Sequence, residues 1–418
     1  MGWIDYYVLV IGMWIFILAS MLIFNKTRYY SLSLLITTCV FFVGLKFIEN
    51  IVPNANKVYT LSKKVAFIEA TKNNSEIALN MLPSSWLQRV DGRGQNSIIP
   101  LKNREKIGGF LPLGSAPNVM TLDCSEDEGF ISFKTDRFGF RNDDQLWENK
   151  IHDILIIGDS YSESACVKKS IPEYFDSSLK IVMLGKGGNG PLTSLAVMTE
   201  YLEVYSSKII YILISPNDFF VPVNHRESYD IDLDREWDDI QLKKYLNNPE
   251  FNIGYFKYLD LSLLKKFAID YSQQKVNEKS FENKDLIVRI ANMFSYNFLK
   301  TYIQPLSSIN KIFKFFNPEI KYVDKNKLIK VYKSMISRAK QKNIKIKFII
   351  MPPKILCVNN ETNKYITKIS GEIKMDTLDF THKLCDPKLF AIRGSHLNSD
   401  GYEKLSQMIN SDFETLQK

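Results

Sequence analysis

Charged residues are missing from Tyr6 to Asn25, and a helix rising about 1.5 Å per residue over that stretch crosses the roughly 30 Å hydrocarbon layer of a bilayer. A second apolar stretch starts at Tyr29, runs uncharged to Leu45 and continues through Lys46 and Glu49 to about Val52. Its two charges fall one helical turn apart, and a long side chain there can snorkel to the interface. The pattern predicts a transmembrane hairpin over residues 1–52. A cleaved signal peptide is the alternative for the first span. That segment lacks a basic leading region, and its apolar stretch exceeds the usual length of about 7–15 residues, which favours a retained anchor. Lys26 and Arg28 lie in the loop between the spans, whereas the N-terminal tail holds only Asp5. The positive-inside bias puts that loop in the cytoplasm, so everything after Pro53 is expected in the periplasm or outside the cell.

Residues 53–84 carry lysines among Val58, Leu61, Val65, Phe67 and Ile68, which predicts an amphipathic connecting helix or a plain stalk. From Pro83 to Lys150 the chain is rich in Gly, Pro, Asn and Asp, as expected of loops and small strands on a domain edge. After that the pattern changes. His152–Ile157 is a short apolar run stopped by Gly158, the signature of a buried parallel strand, and Lys180–Leu184, Lys208–Ile214 and Ile344–Met351 repeat it. Helical spacing appears in Leu192–Tyr205, in Lys325–Gln341 and from Ser399 to about Leu416. Strands alternating with helices predict a parallel sheet with right-handed crossovers, in a domain covering residues 85–418. Phe219–Tyr322 is too long for a crossover and is read as a helical insertion. Its apolar run, with Phe294, Phe298, Phe313 and Phe316, fits an ordinary subdomain core; a lid or a bilayer-facing surface is the alternative.

At 418 residues and 45% hydrophobic content the chain can bury a large core, which removes disorder as the default. The net charge of +8 is dispersed, with no run of five basic residues, so nucleic acid is not an expected partner and an anionic membrane surface is the better match. Cys39 lies within the second span. Cys124, Cys166, Cys357 and Cys385 form an even set in the exported part, expected to pair as Cys124–Cys166 and Cys357–Cys385 because each pair flanks one part of the sheet. Zinc-ligand spacing is absent.

Chemistry concentrates in the loops after the strands, where open α/β sheets present functional groups. These are Gly158-Asp159-Ser160-Tyr161-Ser162, then Gly185-Lys186-Gly187-Gly188-Asn189-Gly190-Pro191, then Ser215-Pro216-Asn217-Asp218. A serine at a strand-to-helix turn sits where helix amides favour developing negative charge, and glycine-rich backbone offers N–H groups without obstruction. Of the four histidines only His396, in Gly394-Ser395-His396-Leu397-Asn398 before the last helix, is placed to serve as the base for a serine. Taken singly, Ser160 could be a helix cap, Asn217 a turn residue and the glycines tight bends.

Together the four blocks resemble the SGNH/GDSL hydrolases: Gly158-Asp159-Ser160 for the first, Gly188 for the second, Asn217 for the third with Ser215 in place of the usual glycine, and His396 for the last. Asp136-Arg137-Phe138-Gly139-Phe140-Arg141-Asn142 is similar to the segment before the serine in membrane-associated branches. The resemblance implies a flavodoxin-like three-layer α/β/α domain and two-step acyl transfer. Ser160 is the expected nucleophile and His396 the base, with Gly188 and Asn217 in the oxyanion hole and no metal or organic cofactor. O-acyl esters of cell-envelope glycans or lipids are the implied substrates, and a membrane-bound O-acyltransferase the implied partner. A non-catalytic envelope assembly or binding protein on the same fold is the alternative. It is favoured by one departure: the family's aspartate, three residues before the histidine, is here Arg393. The expectation is a Ser-His dyad oriented by a backbone carbonyl, with Arg393 binding an anionic substrate group; Asp386 as a substitute acid and an impaired site are the other outcomes.

Overall fold

The computed structural model describes residues 55–81, 101–126, 129–215, 218, 220–222, 236–237, 239–257, 259–277, 320–352, 360–391, 394 and 396–417. The chain divides into two compact units, residues 1–62 with 279–312 and residues 63–278 with 313–418. Of the first, only residues 55–62 are described, as the start of helix α1 (Ala55–Asn73). The expected transmembrane hairpin lies outside the described residues, among which no helix is long and apolar enough to cross a membrane.

The second unit is built on a five-stranded, fully parallel sheet. Before it come three short strands, β1 (Ile77–Leu79), β2 (Met120–Leu122) and β3 (Ser132–Lys134), which form a separate small sheet. The main sheet contains β4 (Ile151–Ile157), followed by the one-turn helix α2 (Ser160–Glu163), and β5 (Ile181–Met183), followed by α3 (Pro191–Leu202). Strand β6 (Ser206–Ile214) leads into the insertion, which includes β7 (Phe220–Pro222), α4 (Ile240–Asn247), α5 (Ser262–Asn277) and β8 (Ile320–Tyr322). Then come α6 (Lys325–Gln341), β9 (Lys345–Ile350), α7 (Asn360–Ile373), β10 (Thr377–Asp379) and α8 (Ser399–Gln417).

The sheet order β5-β4-β6-β9-β10 becomes 2-1-3-4-5 when its strands are numbered along the chain, the doubly wound order of flavodoxin-like sheets. Side chains alternate between two cores, as the pleat requires. Leu155 and Ile157 of β4 join the core covered by α3 and α6, and Ile154 and Ile156 join the one covered by α8. Three layers follow from that alternation. The switch of direction falls between β4 and its neighbours, so the loops after β4, β5 and β6 open at one sheet edge, where the serine and glycine blocks and the described ends of the third, Ser215 and Asp218, stand.

The insertion is helical in part, as expected, but its two ends are also zipped together. Phe220 pairs antiparallel with Tyr322, and Pro222 with Ile320. It docks against the small sheet, where Leu79 N–H donates to Ser272 Oγ on α5. The apolar stretch from Leu286 to Phe316 lies outside the described residues.

The Asp136–Asn142 segment binds the sheet edge to the backbone that follows α2. Asp136 is fully buried and accepts from Phe138 N–H, Phe140 N–H, Asn142 Nδ2 and Trp147 Nε1. Burial pushes its carboxyl up to about 6, against the pull of those donors. Asn142 exchanges two hydrogen bonds with Met183 of β5 like an added strand residue, and Arg141 donates to the carbonyls of Ser164, Val167 and Lys168. Asp136→Ala would leave three donors, Phe138 N–H, Phe140 N–H and Trp147 Nε1–H, without an acceptor, while Asn142 Nδ2 keeps Met183 O. At about 1 kcal/mol or more for each, it is expected to lower the unfolding free energy by roughly 3 kcal/mol or more, read from urea denaturation. A loss under about 1 kcal/mol would show that the donors find water instead.

Candidate active site

Ser160 stands at the turn from β4 into α2. Asp159 caps the helix, its Oδ1 accepting from Tyr161 N–H at 3.0 Å, and its Oδ2 accepts from Ser215 Oγ at 2.7 Å. The serine in place of the third block's usual glycine therefore ties that block to the first. Asp218 accepts from Ser215 N–H, and burial first, then the charge of Asp159, pushes its carboxyl well up. Strand and loop approach closely here: a Cβ on Gly185 would lie 1.7 Å from Ser162 Oγ, so the second block can pack on α2 only with glycine at that position.

His396 comes from the loop before α8. A bridge between Phe390 and Leu397 closes that loop, Ala391 N–H donates to the His396 carbonyl, and Asn398 caps α8 by accepting from Gly401 N–H. Its imidazole lies between two partners. Ser160 Oγ–H donates to Nε2 at 2.9 Å, and Nδ1–H donates to Glu126 Oε1 at 2.7 Å. The carboxylate can only accept, so it fixes the proton on Nδ1 and leaves Nε2 free to act as base.

This arrangement corrects the expected dyad: a side-chain acid, not a carbonyl, orients the histidine. Asp386 is not that acid, since it caps a 3-10 turn by accepting from Lys388 N–H. Glu126 also receives His396 N–H on Oε2 at 3.3 Å, and it fits because residue 394 is glycine. A Cβ at Gly394 would fall 1.7 Å from the Glu126 carboxyl carbon. Arg393 and Asn217 lie outside the described residues.

Gly188 has a left-handed backbone, φ 74°, and the two residues before it are tied to the serine helix through Glu163. Lys186, 1% exposed, pairs with Glu163 and donates to Asn80 Oδ1, while the other Glu163 oxygen accepts from Gly187 N–H at 2.8 Å. Among the described residues, neither Ser160 N–H nor Gly188 N–H enters a hydrogen bond, leaving both available to an oxyanion. From the insertion, Glu236 accepts from Leu192 N–H and Thr193 N–H and thereby caps the helix that follows the glycine loop.

The expected Cys124–Cys166 disulfide is present, with the Cα atoms 5.0 Å apart. Cys385 is also disulfide-bonded; Cys357 lies outside the described residues. Glu126, Cys166 and His396 converge closely enough to suggest a metal cluster, but the Cys166 sulfur is committed to the disulfide and offers no thiolate.

Burial alone would lower the pKa of His396. The hydrogen bond and charge of Glu126, then the charges of Asp159 and Asp123, more than reverse this, and the pKa stands above the ordinary histidine value. Glu126→Gln removes the two largest raising contributions, so the His396 titration midpoint, followed by nuclear magnetic resonance of ring-labelled protein, is expected above 6.5 in the native chain and clearly lower in the variant. Gly394→Ala is expected to lower it in the same way by displacing Glu126. Unchanged midpoints in both would mean that the carboxylate does not hold the ring.

No family model matches the chain, and no curated protein matches it. Solved structures do. A protein described as a proposed acylhydrolase from Bacteroides fragilis NCTC 9343 aligns over 64% of this chain and 88% of its own, at 11% identity and a TM-score of 0.32. A protein described as a proposed platelet activating factor from Streptococcus pneumonia aligns over 65% and 92%, at 14% identity and a TM-score of 0.31. Similarity at that level leaves the functional reading to the residues themselves.

Proposed function

We propose that the protein is a membrane-anchored serine esterase or O-acyltransferase of the SGNH/GDSL type, acting on O-acyl esters of cell-envelope glycans or lipids. The observation that carries this reading is the relay Ser160 Oγ, His396 Nε2, His396 Nδ1, Glu126 Oε1, with steps of 2.9 and 2.7 Å on either side of the ring. Ser160 attacks the ester carbonyl as His396 takes its proton, and the Glu126 carboxylate stabilises the imidazolium formed. Ser160 N–H, Gly188 N–H and the Asn217 amide receive the oxyanion. His396 then protonates the leaving alkoxide, and a water or a sugar hydroxyl, activated by the same ring, accepts the acyl group. Hydrolysis and transfer share this intermediate and differ only in the acceptor.

Residues 1–52 serve as the anchor, with the catalytic domain outside the cytoplasmic membrane. The Cys124–Cys166 disulfide supports that placement, since such bonds persist in oxidising compartments. Arg393 is assigned to an anionic group of the substrate, and a membrane-bound O-acyltransferase to the partner that supplies or takes the acyl group. A non-catalytic role rests on a histidine without an acid, and Glu126 beside Nδ1 speaks against it.

Full-length protein in detergent is expected to hydrolyse p-nitrophenyl acetate. Ser160→Ala should fall to the uncatalysed background, while Asn217→Ala and Gly188→Val should lower kcat about 10²–10³-fold if each disrupts an oxyanion donor. Equal turnover by folded Ser160→Ala would reject the assignment. A change confined to KM in Asn217→Ala would move that residue from the oxyanion hole to substrate binding.

A further inference from the structure

Glu126 reaches His396 from outside the main sheet, on the connection between β2 and β3 that runs from Asp123 to Ile131. Little of that connection is regular. Asp123 N–H donates to Ile131 O at its base, and the Asp123 carboxylate accepts from Cys166 N–H at a long 3.4 Å. One residue further on, Cys124 is bonded covalently to Cys166, and Glu126 follows two residues later. Cys166 in turn lies just past the serine helix, three residues after its last residue, Glu163. Its Sγ is 3.7 Å from His396 Nδ1, the atom that Glu126 engages, and its backbone is left-handed with φ 63°, an unfavourable setting for a residue with a side chain. A surface staple would need neither that backbone nor a sulfur against the catalytic ring.

We propose that the Cys124–Cys166 disulfide is the positioning device of the triad: it fastens the acid-bearing connection to the serine-bearing element, so that Glu126 meets His396 only while the bond is closed. The proposal rests on the triad reading of Ser160, His396 and Glu126. Cys124 and Cys166 touch no reacting atom and act through Glu126. The distance sensitivity of such relays makes the effect large, because a misplacement of about 1 Å can cost about 10² in rate. Opening the bond takes two electrons and two protons. With a phosphine as reductant the oxygen of one water passes to phosphorus, and its two hydrogens end on the thiols.

The His396 titration midpoint tests this without requiring turnover, so a failure here is separable from a failure of the esterase reading. Glu126, Ser160 Oγ, the Cys166 sulfur and the Tyr161 ring contact the imidazole, and Asp159 and Asp123 act on it through their charges. Four proteins are compared: native, Glu126→Gln, the Cys124→Ala/Cys166→Ala pair, and all three changes together. The disulfide-free pair is expected to show the midpoint lowered toward that of Glu126→Gln, and adding Glu126→Gln to it should shift the midpoint little further. On p-nitrophenyl acetate the pair should lose at least about tenfold in kcat, while in the Glu126→Gln background the loss should stay within about twofold. A native midpoint in the folded pair, or an equal cost of Glu126→Gln in both backgrounds, overturns the proposal. If circular dichroism shows the pair unfolded, native and Glu126→Gln proteins are titrated before and after phosphine reduction at a temperature that preserves their dichroism. Loss of the Glu126 effect on reduction supports the device, and its persistence refutes it. Loosening through the other disulfide, at Cys385, would shift both proteins alike and also counts against it.

Discussion

The hydrogen bond from His396 Nδ1 to Glu126, 2.7 Å long, closes a loop of 270 residues, and most of what is unusual in the structure accommodates it. A carboxylate brought from so far along the chain has to be delivered by a separate element, given room, and held in place. The small β1-β2-β3 sheet delivers it. Gly394 gives it room, since any side chain there would occupy the carboxyl position. The imidazole and the backbone N–H of the same residue keep it engaged on both oxygens. The histidine responds in kind: buried without that partner it would resist protonation, and with it the imidazolium becomes the favoured form over a wider pH range.

The parallel sheet supplies the other half of the site through topology. Strands β4, β5 and β6 are neighbours in the order 2-1-3, so three loops that are widely spaced in sequence open at the same edge. Two internal braces hold them there: Asp159 accepts from Ser215, linking the first loop to the third, and Glu163 accepts from Lys186 and Gly187, linking the serine helix to the glycine loop. A buried ion pair such as Lys186–Glu163 lends little net stability compared with apolar packing. Once one partner is removed, however, the other becomes an uncompensated buried charge, so the geometry is all or nothing.

What was legible in the sequence follows from the range of the forces involved. Parallel strands buried on both faces announce themselves as apolar runs, so the pattern marks β4, β6 and β9 to within two residues of their ends and α6 at its observed limits. Strand β10 and helix α7 hold no such apolar run. The strand is only Thr-Leu-Asp, too short for a pattern and recruited by its pairing with β9. Ser160, Gly188 and His396 were legible because each follows a strand or precedes a helix with a recognisable loop. Glu126 was not: it stands in the acidic run Glu126-Asp127-Glu128, in a stretch of weak local preference, and only a long-range contact gives it meaning. The nearest clue was Cys124, whose expected pairing with Cys166 already placed this stretch beside the serine helix.

On the proposed reading, Ser160 is a nucleophile activated through His396 by Glu126. Intact-protein mass spectrometry of the full chain treated with a fluorophosphonate tests it most directly, followed by peptide mapping of the adduct. One stoichiometric phosphonyl group on Ser160 is expected, formed much more slowly in Glu126→Gln. Absence of an adduct, an adduct on another residue, or equal labelling rates in the native and Glu126→Gln proteins would contradict it.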